Sequence, residues 1–245
     1  MHGELSILYE DNHLLVVNKP AGIATMGTPS GTVNMVTSAA SYLKRKYAKP
    51  GNVFVGVVSR LDSLVSGVLV LARTSKAASR LSEQLRDRQT DKLYLAWVEG
   101  KLTAPSHSQS ATVEHPRPDV LLVDRMSKDE SRQRMELVAS GDEGLEARLR
   151  YRLLTVEADR SLLQIRLETG RKHQIRVQLA AHCGPILGDT KYGAARKFST
   201  GIALHCLRMT VKHPTRDEHL AFTAPIPEYW PRTTHAFAAQ CEDKE

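Results

Sequence analysis

The stretch FVGVVSRLDSLVSGVLVLA, residues 54–72, sets two apolar, β-branched runs around a polar loop. Phe54–Val58 and Gly67–Ala72 have strand composition. Between them, Ser59-Arg60-Leu61-Asp62-Ser63-Leu64-Val65-Ser66 forms a short charged loop, which two buried strands place at a sheet edge. Downstream, Thr74 or Ser75 caps a helix whose Ala77, Leu81 and Leu85 share one face. Upstream, Ser6–Tyr9 and Leu14–Val17 read as short strands bounded by Asp11-Asn12 and by the turn-forming Lys19-Pro20-Ala21-Gly22. Val36, Ala40, Leu43 and Tyr47 recur at helical spacing and predict a helix over 33–47, ended by Lys49-Pro50-Gly51-Asn52.

The pattern continues with a strand at Leu93–Val98 and a hairpin of Leu149–Glu157 with Leu162–Leu167. A helix follows over Arg171–Cys183, ended by Gly184-Pro185, and then a strand at Ala203–Val211. Residues 101–146 are rich in Ser, Pro, Asp, Glu and Arg, with weak strand signals near Val120–Val123 and Met135–Val138. They are expected to form a surface excursion, and Pro225-Ile226-Pro227 to close the ordered part, leaving 231–245 as a tail. Strands with hairpin connections and interspersed helices predict an α+β domain with a mixed or largely antiparallel sheet, all of 1–245 forming one domain.

The 245 residues carry 34 Lys+Arg against 27 Asp+Glu, a formal charge of +7, with 41% apolar residues. That composition is globular and excludes a disordered or fibrous chain. The positive excess favours an anionic partner, nucleic acid first. Cys183, Cys206 and Cys241 are too few and too widely spaced for a disulfide framework or a zinc pattern, and fit a reducing cytoplasmic compartment. No signal peptide is visible, and no run approaches the ~18 apolar residues of a membrane span.

Two local clusters can carry chemistry. In Arg60-Leu61-Asp62, a carboxylate beside a cation stays ionised at neutral pH and can react, or it can cap backbone N–H groups at a strand end. In Thr169-Gly170-Arg171-Lys172-His173-Gln174-Ile175-Arg176-Val177, three cations and a histidine stand at a helix start, where free N–H groups attract anions. Lys172 and Arg176 are four apart and share a face on a helix. Ile175 and Leu179 show that this helix packs, so one basic residue is expected to turn inward and to need a carboxylate, for which Asp62 is a candidate. His182, Cys183, His205 and Cys206 are poor chelates, because neighbours on a strand point opposite ways. No Walker loop, Gly-x-Gly-x-x-Gly or Gly-x-Ser-x-Gly is present.

In combination the sequence resembles the RluA-type RNA pseudouridine synthases. The matching pieces are His13–Gly22 (HLLVVNKPAG), Ser59–Ala72 (SRLDSLVSGVLVLA), Tyr94–Gly100 (YLAWVEG), Thr169–Leu179 (TGRKHQIRVQL), Gly184–Gly193 (GPILGDTKYG) and Ala203–Pro227. The resemblance implies the pseudouridine synthase core, a mixed, mostly antiparallel sheet in two halves with an active-site cleft between them. It implies that a uridine in ribosomal or transfer RNA is cleaved at N1–C1′, turned, and rejoined through C5, with neither cofactor nor metal. By position, Asp62 would be the catalytic aspartate, as nucleophile at C1′ or base at C2′. Tyr94 would pack against the target base, Arg176 would pair with Asp62, and Arg60 would help displace the nucleotide. Arg171, Lys172 and His173 would contact RNA. Many relatives have His at Ser59 and Thr at Val65. Glu4 leaves no room before it for an S4-type domain, so the resemblance is to the short form, a monomer needing no protein partner. The rival expectation is a non-catalytic RNA-binding or chaperone protein on the same fold, for which Asp62 would not be required.

Overall fold

A computed structural model describes residues 5–103, 119–139 and 141–242. In chain order these form β1 (Ile7–Glu10), β2 (Leu14–Lys19), α1 (Met35–Lys46), β3 (Gly56–Val57), β4 (Ser66–Ala72), α2 (Ser75–Arg86), β5 (Asp91–Glu99), β6 (Val120–Asp129), β7 (Arg134–Val138), β8 (Leu145–Glu157), β9 (Arg160–Leu167), α3 (Gln174–His182), β10 (Leu204–Lys212), β11 (His219–Thr223) and α4 (Arg232–Glu242). They divide into two compact units. One is drawn from the chain up to Lys92 and from His205–Ile226, the other from Leu93–Leu204 and the chain after Pro227.

In the first unit the strand order is β1-β2-β4-β10, with β3 also on β4 and β11 on β10. Every residue of β4 is buried, as are Leu14, Leu15, Val16 and Val17 of β2. Each buried Val or Leu among them contributes about 1.5–3 kcal/mol of hydrophobic stabilisation. β2 runs antiparallel along one edge of β4, from Leu14 beside Ala72 to Lys19 beside Gly67. The other edge is shared: β3 takes Leu71 and Ala72, and β10 runs parallel at Ser66 and Gly67. The Asp62 loop therefore precedes an interior strand, not an edge strand. Its apolar run is fully buried because it has partners on both sides. Gly67 makes the close approach to β10 possible. Its φ is +116°, and a Cβ there would lie 2.2 Å from the Cys206 carbonyl oxygen. The Thr74 hydroxyl caps α2 by accepting from the Ala77 amide, whereas α1 starts with a reciprocal capping box of Asn34 and Thr37.

In the second unit the order is β5-β9-β8-β6-β7, antiparallel throughout. The expected surface excursion is corrected over its described residues: β6 and β7 extend the sheet beyond β8. Met126, at the inner face of β6, packs with Ala147, Val177, Met135, Leu137 and Tyr192. The tail is corrected too. α4 follows Trp230, and its buried Thr234 accepts a 2.8 Å hydrogen bond from the indole N–H of the fully buried Trp97. Arg160 lies over the same indole, 4.6 Å from the ring centroid.

Candidate active site

Asp62 is half-buried in the first unit, and the backbone of its neighbours Leu61 and Ser63 is pinned by the segment Lys19–Thr25. The Thr25 hydroxyl donates to the Leu61 carbonyl at 2.8 Å and accepts from the Leu61 amide at 3.2 Å. The Gly22 amide, free to turn at φ +92°, donates to the Ser63 carbonyl at 2.8 Å. The Lys19 side chain is fully buried, and its Nζ donates to the carbonyls of Pro20 (2.9 Å), Ile23 (2.7 Å) and Ser63 (3.2 Å). Three acceptors saturate an ammonium's three protons. Burial pushes the Lys19 pKa down to about 7, and the nearby Asp62 carboxylate opposes that fall. Within the loop, the Val65 amide donates back to the Asp62 carbonyl.

The loop's exit is fixed by a second buried polar pair. The Ser66 hydroxyl lies 2.8 Å from His205 Nδ1, and His205 Nε2 lies 3.3 Å from the Ala224 carbonyl. A carbonyl only accepts, so Nε2 carries the proton and Nδ1 accepts from the serine. Burial pushes the His205 pKa down to about 4 and keeps the ring neutral. Arg60 is exposed. Sequence reasoning singled out Arg60 and Asp62 but missed Lys19, Thr25 and the Ser66–His205 pair. A lysine ending the apolar run LLVVNK was the available signal for the first.

The second unit carries Tyr94, Arg171, Lys172, His173 and Arg176. Tyr94 is buried in the middle of β5, beside Ile165 of β9. Arg176 is turned inward as expected, at 4% exposure. The carboxylate meeting its need within this unit is Asp189, at 1% exposure. Arg176 donates to it from Nε at 2.7 Å and from Nη2 at 2.8 Å, the bidentate geometry that suits a guanidinium. Its guanidinium also lies 5.0 Å from the centre of the Tyr192 ring. The Tyr192 hydroxyl accepts from the Met135 amide and lies 2.7 Å from His173 Nδ1. Asp189 and Tyr192 stand in the matched piece GPILGDTKYG but were not singled out by sequence reasoning.

The basic cluster is differently arranged than helical spacing implied. α3 begins only at Gln174, and His173 precedes it in a left-handed conformation at φ 56°. Lys172 is therefore off the helix and exposed, not on a face with Arg176. The Gln174 side chain fills the helix start. It accepts from the Arg171 amide and the Thr169 hydroxyl and donates to the Arg148 carbonyl. Arg171 donates from Nε to the Glu146 carbonyl. Of the histidines considered for a metal, His182 pairs with Asp124 and His205 with Ser66. Among the described residues no group of three or more His, Cys, Asp or Glu side chains converges.

A conserved-domain family described as RNA pseudouridylate synthase matches residues 13–181, which include the Asp62 loop, Tyr94 and Arg176. The chain belongs to this family. It is 37% identical over 241 residues to ribosomal large subunit pseudouridine synthase D of Xylella fastidiosa, spanning 91% of this chain but only 66% of that protein. It is 34% identical to the RNA pseudouridine synthase YhcT of Bacillus subtilis, spanning 92% of this chain and 70% of that one. In structure it resembles human RNA pseudouridylate synthase domain containing 4, with a TM-score of 0.70 at 22% identity over 96% of this chain and 92% of that chain. The α+β fold with a mixed, mostly antiparallel sheet is that of this neighbour. No described helix is long and apolar enough to cross a membrane.

Proposed function

We propose that the chain isomerises uridine to pseudouridine in structured RNA, with large-subunit ribosomal RNA the first candidate and transfer RNA the second. The roles follow the family by position. Asp62 is the catalytic carboxylate, at C1′ or C2′. Tyr94 packs against the target base, Arg176 is the counter-cation, and Arg60 helps hold the nucleotide out of its fold. Arg171, Lys172 and His173 contact the RNA. The observation that carries the reading is the bracing of Asp62: the backbone of both its neighbours, Leu61 and Ser63, is hydrogen-bonded to Lys19–Thr25, and the buried Lys19 side chain interacts with its carboxylate. A carboxylate fixed before substrate arrives is what a step at the sugar requires. Cys183 and Cys206, both buried and outside any disulfide, support a reducing cytoplasmic setting.

The test is tritium release from ribosomal and transfer RNA labelled at uracil C5 and taken from cells lacking the gene. Asp62→Ala is expected to lose at least about a thousandfold in rate while still binding RNA. Normal turnover by that variant would overturn the assignment.

A further inference from the structure

The end of α1 carries a basic cluster that the Asp62 loop does not use. Lys44, Arg45 and Lys46 fill its last turn, and Lys49 follows after the exposed Tyr47. Cations at a helix C-terminus are ordinary, since they complement its dipole. The arrangement beneath them is not explained that way. The half-buried Glu10 carboxylate accepts hydrogen bonds from the Tyr42 hydroxyl (2.8 Å), Lys46 Nζ (2.7 Å), the Tyr47 hydroxyl (2.7 Å) and Arg73 Nη1 (3.1 Å). Arg73 also donates to the Asp11 carbonyl.

Tyr47 is 44% exposed, whereas the Arg73 side chain is only 8% exposed. Arg73 lies 4.7 Å from the centre of the Tyr47 ring, with Lys46 at 5.6 Å and Lys49 at 5.8 Å. One acid thus orients two tyrosines and two cations. Among the described residues Lys44, Arg45 and Lys49 have no acidic partner. Five cations against the one carboxylate leave 5 − 1 = +4 on this corner of the first unit. The buried Glu10–Arg73 pair fastens α1 to β1 and to the end of β4, but among the described residues no acid accounts for Lys44, Arg45 and Lys49 beside a tyrosine ring that stays open to solvent. An exposed ring for a base, flanked by cations for phosphates, is how single-stranded nucleic acid is held.

We propose that this corner is a second RNA-binding surface, in which Tyr47 stacks on an unpaired base and Lys44, Arg45 and Lys49 take the neighbouring phosphates. The proposal rests on the reading of the chain as an RNA-modifying enzyme and adds a surface apart from the residues assigned to its chemistry. The probes are a 20-nucleotide oligouridine and a 15-base-pair RNA duplex, with affinities measured by fluorescence anisotropy at several salt concentrations. Tyr47→Ala is expected to weaken oligouridine binding roughly tenfold and duplex binding less than twofold. Tyr47→Phe, which keeps the ring, is expected to stay within twofold of the unaltered chain. Combined replacement of Lys44, Arg45 and Lys49 by Ala is expected to flatten the dependence of log affinity on log salt by about two. Melting temperatures of all variants separate these effects from misfolding.

Oligouridine affinity unchanged in Tyr47→Ala, or an equal loss on both probes, overturns the stacking surface. Tritium release by the unaltered chain is scored separately. Turnover with an inert Tyr47 sinks only this surface, whereas absence of turnover sinks the isomerase reading.

Discussion

In the first unit Asp62 sits on a loop, and what holds it is backbone: carbonyls and amides of Leu61 and Ser63 tied to Lys19, Gly22 and Thr25. In the second unit Arg176 sits on a helix, and Asp189 holds its guanidinium through two side-chain hydrogen bonds. The first arrangement spreads the constraint over several neutral hydrogen bonds and one buried lysine. The second concentrates it in a desolvated ion pair. A loop has no internal ladder to fix it, so it borrows from a neighbouring segment, whereas a helix already fixes its backbone and leaves only the guanidinium to be aimed.

The sharpest way to break this contrast is Asp189→Asn. It removes the charge from the buried bidentate pair that Asp189 makes with Arg176, and the expected loss is about 3–5 kcal/mol in urea denaturation. A loss below 1 kcal/mol would mean that Arg176 is not dependent on Asp189. The next effect concerns the loop's exit and is read against pH. His205 titrates near 4 in the folded chain and near 6.5 when unfolded, so between those values the unfolded chain holds the extra proton. Stability from this group is complete above pH 6.5 and is lost as pH falls towards 4, by roughly 2–4 kcal/mol. His205→Gln is expected to show a stability–pH slope shallower by about one proton in that window. Equal slopes would place the titration elsewhere. The smallest effect is Thr25→Val, which removes both hydrogen bonds to Leu61. About 1–3 kcal/mol of stability should go, together with a fall in kcat larger than any rise in KM. A proportional rise in KM instead would show that the strap serves binding and not the carboxylate's placement.

Much of the fold was legible where burial was complete. The runs Leu14–Val17 and Gly67–Ala72 are strands with both faces covered, so their apolar composition left little ambiguity. The α2 cap at Thr74 followed from local chemistry. β6 gave only a weak signal near Val120–Val123 because Leu121 and Val123 face solvent and alternate with Leu122 and Asp124, so the usual apolar-in pattern is blurred. α4 escaped because its apolar positions are few and its anchor, Thr234, is polar. α3 starts three residues later than its basic cluster implied because Gln174, not an earlier residue, closes its first turn. At the site, the inward turn of Arg176 was readable from Ile175 and Leu179, but its pairing with Asp189 was not. Nothing in Gly188-Asp189-Thr190 demands burial. The bracing of Asp62 runs from the Thr25 and Lys19 side chains to main-chain carbonyls 36 and 44 positions away, and those acceptors have no side-chain signature to read.

The indole of Trp97, enclosed beneath Arg160 and bonded to Thr234, has a use of its own. The chain has two tryptophans, Trp97 and Trp230, and both lie in the second unit in dry surroundings. The first unit is spectroscopically silent in this respect. Intrinsic emission is therefore an optical gauge of the half that carries Arg176. Read alongside circular dichroism, which records both halves, it times the melting of one against the other without any label.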